Sequence, residues 1–557
     1  QNAGMEFRNT PIFTQQNTGA MDRRTFLQNT ALAGAALSVA PLSSCQNTAS
    51  TAAQSGLNAA GDNFALNETT IAELQRQMAS GERTARQIAE LYLARIEAMD
   101  KNGVALRAVL ELTPDARARA DALDRERAAG RLRGPLHGIP VLVKDNIDTG
   151  DNMTTTAGSL ALEGRRAAED AFVIRQLRAA GALILGKTNL SEWANFRSTH
   201  SSSGWSSRGG QTKNPVALDR NPSGSSSGSA AAVAANLCAV AVGTETDGSV
   251  VAPSSVCGIV GLKPTVGLVS RSGIIPISIS QDTAGPMART VTDAALLLSA
   301  MTGADPNDAA TAASAGKVSK DYTSFLDKNA LAGKRIGVEK SHFEGHPEAV
   351  TLFRNALDTL QKAGATLVEV ELLKAITPLG DAEFEFLQFE FKDGLNRYLA
   401  AAGAGVQSLA ELIAFNRANE ARVMPHFKQE ILELAEQKGP LSDPRYLELQ
   451  QKTYATRDIL DDILQKNALA ALVGVTMGPA HLTDLVHGDY YPSNGFYFGQ
   501  APAMAGYPSL TVPMGRVQEL PVGLSFVSAA WQDGPLLGLG YAYEQASKWR
   551  VAPGFAG

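Results

Sequence analysis

Cysteine is nearly absent: three residues, at 45, 238 and 257, in a chain of 557. A disulfide framework needs a denser set, and no CxxC pair offers the start of a zinc-ligand array, so both scaffolds are excluded. An excess of one charge is missing as well. Lysine and arginine total 50 against 56 acidic residues, a net of −6. That is neither the basic footprint of a nucleic-acid binder nor the imbalance of a disordered chain. The apolar run from Thr30 to Ala40 falls well short of the ~20 residues that a membrane-spanning helix needs. Glycine, by contrast, is plentiful at 51 residues, which points to many tight turns and close backbone approaches.

The first sixty residues read as address rather than fold. Arg23 and Arg24 meet a Phe26-Leu27 step, and a short apolar run and small residues follow. This is the pattern of an export signal of the twin-arginine type. Leu42-Ser43-Ser44-Cys45 looks like a lipobox, whose cysteine is acylated after cleavage. The sequence therefore predicts a signal over 1–45, a Ser/Thr/Ala/Gln tether over 46–65 and a single catalytic domain over 66–550. It further predicts an exported, periplasmic or cell-envelope protein with membrane attachment through a lipidated Cys45. Cys238 and Cys257 lie in apolar runs and are expected as buried free thiols.

Periodicity places the rest. Thr70…Glu73 and Thr84…Gln87 match the capping-box spacing, each ahead of apolar residues at helical intervals. Helices are expected over 115–129, 171–180, 230–237, 292–301 and 348–363. Buried strands are expected over 138–144, 182–185, 239–242, 335–338, 366–370, 471–475, 509–512 and 522–526. Such alternation indicates an α/β fold, a central mixed, mostly parallel β-sheet flanked by helices on both faces. The polar stretch 383–465 shows no strand signal and reads as a helical cap.

Three motifs compete for the chemistry. Gly181 to Thr188 satisfies the P-loop pattern, yet its four intervening residues are themselves a buried strand, so no phosphate cradle forms. Gly224-Ser225-Ser226-Ser227-Gly228 matches a nucleophile elbow centred on Ser226, with His426, His481 and His487 as downstream partners. Pro215 and Pro222 argue against the strand that an elbow must follow. A flexible Gly/Ser linker is the bland alternative, but the run feeds an Ala-rich helix whose free N–H groups suit an anion. The third constellation is dispersed: Lys144 at a strand end, the Ser-rich turn at 223–229, and Gly243 to Ser249 after another strand. Lys144 reads either as a strand-end lysine paired with Asp145 or Asp148, or as a neutral base whose pKa is depressed by burial.

The segments LHGIPVLVKDNID (136–148), GGQTKNP (209–215), NPSGSSSGSAAAVAANL (221–237) and the long run from GTETDGS (243–249) to residue 290 resemble the amidase signature family. Within it the likeness is to the bacterial peptide-amidase branch, which removes the C-terminal amide nitrogen from peptides. The resemblance implies a Ser–Ser–Lys triad of Lys144, Ser225 and Ser249. In it Ser249 is the nucleophile, and Ser225, held by a cis peptide after Gly224, is the proton relay. It implies an oxyanion hole from the backbone of Thr246, Asp247 and Gly248, with Ser226 orienting Lys144 or the Ser225 loop. It implies no metal or cofactor, a monomer, and a small-molecule or peptide amide substrate. Aryl-acylamides or carbamates are the alternative substrates, and a non-catalytic peptide-binding lipoprotein the alternative class. The glutamine-tRNA amidotransferase member of the same family works with tRNA, from which an export signal would separate this chain. Asp247 and Val251 depart from the wider family but fit the peptide-amidase branch. The stretch 481–500 differs from that branch in length and aromatic content.

Overall fold

Helix starts are written locally. Thr84 accepts from the Gln87 N–H, and the Gln87 side chain accepts from the Thr84 N–H, which closes the capping box ahead of the Ala85–Arg95 helix. Thr70 accepts from the Glu73 N–H ahead of Ile71–Ser80, but the Glu73 carboxylate turns to Arg76, so this box is half formed. The computed structural model describes residues 63–403, 405–492 and 495–556. The expected signal, Cys45 and the tether up to residue 62 lie outside the described residues. Phe64, the second described residue, packs on Tyr92, and the Arg95 guanidinium lies 4.4 Å over its ring.

In chain order the strands are β1 (Val109–Leu112), β2 (Pro140–Lys144), β3 (Leu183–Thr188), β4 (Trp205–Ser206), β5 (Gly210–Gln211), β6 (Val240–Glu245) and β7 (Val260–Lys263). They continue with β8 (Thr283–Ala288), β9 (Arg335–Glu339), β10 (Thr366–Val370), β11 (Ala471–Val475), β12 (Ser509–Val517) and β13 (Leu520–Val527). Apart from the β4/β5 ribbon they form one sheet, in the order β1-β3-β2-β6-β8-β7-β12-β13-β11-β9-β10. The sheet is mixed. Parallel pairing is concentrated in two flanks, β3-β2-β6 and β11-β9-β10. The strands between them, and the edge pair β1/β3, are antiparallel. The eight expected strands are all present; β1, β7 and β8 of the sheet and the β4/β5 ribbon are additional.

Helices cover both faces. Successive residues of a strand point to opposite sides. On β12, Leu510 and Val512 meet Gly540 of the Asp533–Ser547 helix, whereas Thr511 lies on the other side with Ser255 of the Val251–Val256 helix. The stretch expected as a cap is helical over Gly380–Ala402, Leu409–Ala418, Glu420–Val423, Glu430–Glu436 and Pro444–Lys466. Its apolar faces build a second core together with Trp193, Phe196, Ile275 and Ile277.

What positions the site is the β2/β6 pair. The two strands are parallel neighbours with Val143 opposite Val242, so their C-terminal ends open at the same edge of the sheet. That edge is where parallel α/β sheets hold their ligands.

Candidate active site

Lys144 is the last residue of β2 and has no exposed surface. Its ammonium nitrogen donates to Ser225 Oγ at 2.7 Å, to Thr244 Oγ1 at 2.9 Å and to the Thr244 carbonyl at 3.1 Å. Asn146 Nδ2 also donates to Thr244 Oγ1, at 3.0 Å. Burial pulls the Lys144 pKa down to about 7, while the Asp282 and Glu245 carboxylates oppose the shift. Desolvation outweighs them, and burial raises both carboxylates as well, Asp282 to about 6. The expected alternative, a strand-end ion pair with Asp145 or Asp148, does not form. Asp145 lies 3.4 Å from Arg208, and Asp148 is 2.9 Å from Arg165.

Ser225 follows a cis peptide bond from Gly224, and its carbonyl accepts from the Ser191 N–H. Ser226 is fully buried. Its hydroxyl donates to the Thr244 carbonyl at 3.0 Å and accepts from the Thr244 N–H at 3.2 Å. The Ser226 N–H donates to the Ser249 carbonyl at 3.1 Å. Ser226 thus fastens the Ser-rich turn to β6 and to the Ser249 turn, and it reaches Lys144 through their common partner Thr244. The Ser227–Ala234 helix then begins, and Gly228 lets it sit directly on the backbone of Ala108 and Asn189, where a Cβ would collide.

The turn Thr246–Ser249 joins β6 to the Val251–Val256 helix. Glu245 Oε2 accepts from the N–H groups of Val250 and Val251, at 2.7 and 3.0 Å, and draws the two ends of the turn together. Thr246 Oγ1 donates to Asp282 at 2.5 Å, and the Thr246 carbonyl accepts from Gln281. The Tyr497 hydroxyl donates to Asp247 Oδ1. Burial, reinforced by the Glu383 carboxylate, pushes Asp247 well above the usual carboxylate range, and burial also raises Glu383, which accepts from Gln281 and Gln500. Gly248 has φ +73°, and a Cβ there would strike the Tyr497 ring and hydroxyl. Sequence reasoning missed Thr244, Asp282, Glu383 and Tyr497. Thr244 and Glu245 were visible in the GTETDGS run, whereas Asp282 and Tyr497 come from other loops and Glu383 from the Gly380–Ala402 helix, with no local signal.

A cavity of about 990 Å³ runs over this turn. Thr246, Asp247, Gly248 and Ser249 line its floor together with Ser223 and Gly224. Phe196, Ile277 and Leu387 bring the second core to one wall, and residues 477–481, 490–492 and 495–497 supply another. The competing motifs fall away. Gly186, Lys187 and Thr188 lie in β3, and the Lys187 ammonium donates to the Ile147 carbonyl and Thr155. No strand precedes the Ser-rich turn directly, and Ser226 does not line the cavity. His487 pairs with exposed Asp484, and His426 lies edge-on to Trp205. Cys238 and Cys257 are buried free thiols. Among the described residues no cluster of His, Cys, Asp and Glu could hold a metal ion, and no helix is long and apolar enough to cross a membrane.

Residues 87–537 match the family described as Amidase. The chain is 40% identical over 504 residues to the "Probable amidase" of Arabidopsis thaliana, covering 88% of this chain and 92% of the relative. It is 37% identical to a glutamyl-tRNA(Gln) amidotransferase chain of Chloroflexus aurantiacus, over 87% of this chain and 98% of that one. Among solved structures it resembles the native peptide amidase of Stenotrophomonas maltophilia, with 49% identity and a TM-score of 0.84, covering 88% of this chain and 99% of that one.

Proposed function

The chain belongs to the amidase signature family of hydrolases, and from that premise we propose that it hydrolyses C-terminal peptide amides to the acid and ammonia through Lys144, Ser225 and Ser249. The observation that carries the reading is Lys144: a buried amine with a pKa of about 7, 2.7 Å from Ser225, beside a turn whose serine lines the large cavity. Once deprotonated, the amine has a lone pair, and the same contact then serves with Ser225 as the donor. A hydroxyl both donates and accepts, so Ser225 can pass its proton to Lys144 while taking the proton of Ser249. Ser249 Oγ forms the new C–O bond, and the carbonyl π pair moves to oxygen. Backbone N–H groups of the Thr246–Ser249 turn are the donors proposed for that oxyanion. The proton returns through Ser225 to nitrogen, the C–N bond breaks, and ammonia leaves. Water repeats the sequence on the acyl-enzyme, regenerating Ser249.

The peptide character of the substrate is supported by the size and apolar walls of the cavity and by the likeness to peptide amidases. Anilides and carbamates remain the alternative substrates, and the substrate panel below separates them from peptide amides. Export through the twin-arginine leader with Cys45 as lipid anchor, and action as a monomer, belong to the same proposal. Sizing of the purified protein, and cell fractionation with Arg23→Lys/Arg24→Lys and Cys45→Ala variants, test those parts. For the reaction, ammonia release is measured from peptide amides, side-chain amides and anilides. Wild-type protein is expected to favour peptide amides, and Ser249→Ala to lose turnover while keeping its thermal transition. Retained turnover in Ser249→Ala would overturn the assignment.

A further inference from the structure

The cavity wall that carries Tyr490 and Tyr491 is tied down by one carboxylate. Asp489, with a side chain only 7% exposed, accepts from the Ser203 N–H at 2.8 Å, Ser203 Oγ at 2.6 Å, Asn221 Nδ2 at 3.2 Å and the Tyr491 hydroxyl at 3.1 Å. His481 Nε2 stands 3.3 Å from it, and the Asp489 N–H donates to the Ser201 carbonyl. Gly488, at φ +82°, presses so closely on the His200 carbonyl that no Cβ would fit. The segment carrying Asp489 is therefore fixed to the Ser-rich stretch at 200–203 and to Asn221, just ahead of the Ser225 turn.

The aromatic rings beside this knot stay largely exposed. Tyr491 is held at its hydroxyl by Asp489 and packs edge-to-face with the His481 ring at 5.5 Å, yet remains 54% exposed. Tyr490 is 69% exposed, and both line the cavity that holds Ser249. Paired large aromatics in a cavity wall differ from the single hydrophobics scattered over any surface. Tyrosine offers broad, rigid contact area at little conformational cost. The lining carries few charges, Arg220 and Asp247 among the described residues, so apolar matter is what this wall suits.

We propose that Tyr490 and Tyr491 form a subsite for an aromatic or bulky apolar side chain in the acyl portion of the substrate, with Asp489 the positioning residue that sets the rings. The inference rests on the peptide-amide reading and deepens it. The test walks phenylalanine, against glycine, through the positions preceding the amidated residue of N-acylated peptide amides. Wild-type kcat/KM is expected to favour phenylalanine at one position. Tyr490→Ala/Tyr491→Ala should reduce that preference about 5- to 10-fold, through KM rather than kcat. Asp489→Asn should remove part of it, and Tyr491→Phe less than Tyr491→Ala. Absence of a phenylalanine preference at every position, or equal losses for phenylalanine and glycine peptides, would overturn the subsite. The same peptides are titrated calorimetrically into the Ser249→Ala protein. If wild type releases no ammonia from them the reaction reading fails, and the calorimetric phenylalanine-to-glycine ratio still decides the subsite.

Discussion

At the scale of single residues, the working pH follows from how Lys144 is buried. Desolvation favours the neutral amine, and the form that accepts a proton is that neutral amine. On the proposed mechanism kcat/KM on a peptide amide therefore rises with pH through a midpoint near 7 and levels off above it. Asp282 is the largest influence holding that midpoint up, with its own pKa near 6 and hence its charge present at neutral pH. Asp282→Asn is nearly isosteric. The amide oxygen can keep the Ile277 and Ser278 N–H bonds at 2.8 and 2.9 Å, and Thr246 Oγ1 can turn to accept from the amide nitrogen. Without the opposing charge the Lys144 pKa falls further, so the rising limb moves to lower pH. A pH–rate profile of the variant checks this, and an unmoved or upward-shifted limb counts against Lys144 as the titrating base.

On the proposed mechanism the element that matters most is the four-residue turn after β6. The roles of its residues came only with the family resemblance, while its place after a buried apolar strand was legible. Its fasteners were not: Tyr497 lies 250 residues from Asp247 and Asp282 lies 36 from Thr246, and local pattern says nothing about such contacts. The strands behaved alike. β2, β6 and β11 each carry a short apolar run and were plain, whereas β8 carries Gly285 and Pro286 within TAGPMA, which hide the strand pattern. It is a strand because its neighbours β6 and β7 impose the pairing, and Gly285 lies where a Cβ would meet the Leu262 carbonyl of β7. Within that four-residue turn, Gly248→Ala adds a methyl aimed at the Tyr497 hydroxyl and strains a left-handed backbone. If that backbone holds the oxyanion donors, kcat drops about 10²- to 10³-fold with a smaller change in KM. Steady-state kinetics alongside circular dichroism test this. Tyr497→Phe added to Gly248→Ala, which removes the atom struck, restores part of the loss where crowding is the cause.

At the scale of the whole molecule, the helical region 380–466 needs an attachment to the sheet that keeps Phe196, Ile277 and Leu387 in the cavity wall. Arg197 supplies one. Its guanidinium, 1% exposed, pairs with Glu192 at 2.9 Å and donates to the carbonyls of Val423, Phe427 and Lys428. The Arg197 carbonyl in turn accepts from the Ile431 N–H. Burial pushes the Glu192 pKa up and Arg197 pulls it back, so this carboxylate depends on its partner. Arg197→Met keeps an apolar stem of similar reach but leaves Glu192 without its cation and three carbonyls without donors. Breaking a buried pair from one side costs about 3–5 kcal/mol. The loss should be local, because those carbonyls lie in 423–428. Hydrogen exchange of 420–436 is expected to accelerate well before that of β2 and β6. Glu192→Gln added to Arg197→Met, which removes the stranded charge, should recover part of the protection. Acceleration spread evenly over the sheet and the helical region would mean that Arg197 serves the fold as a whole rather than the hold on this wall.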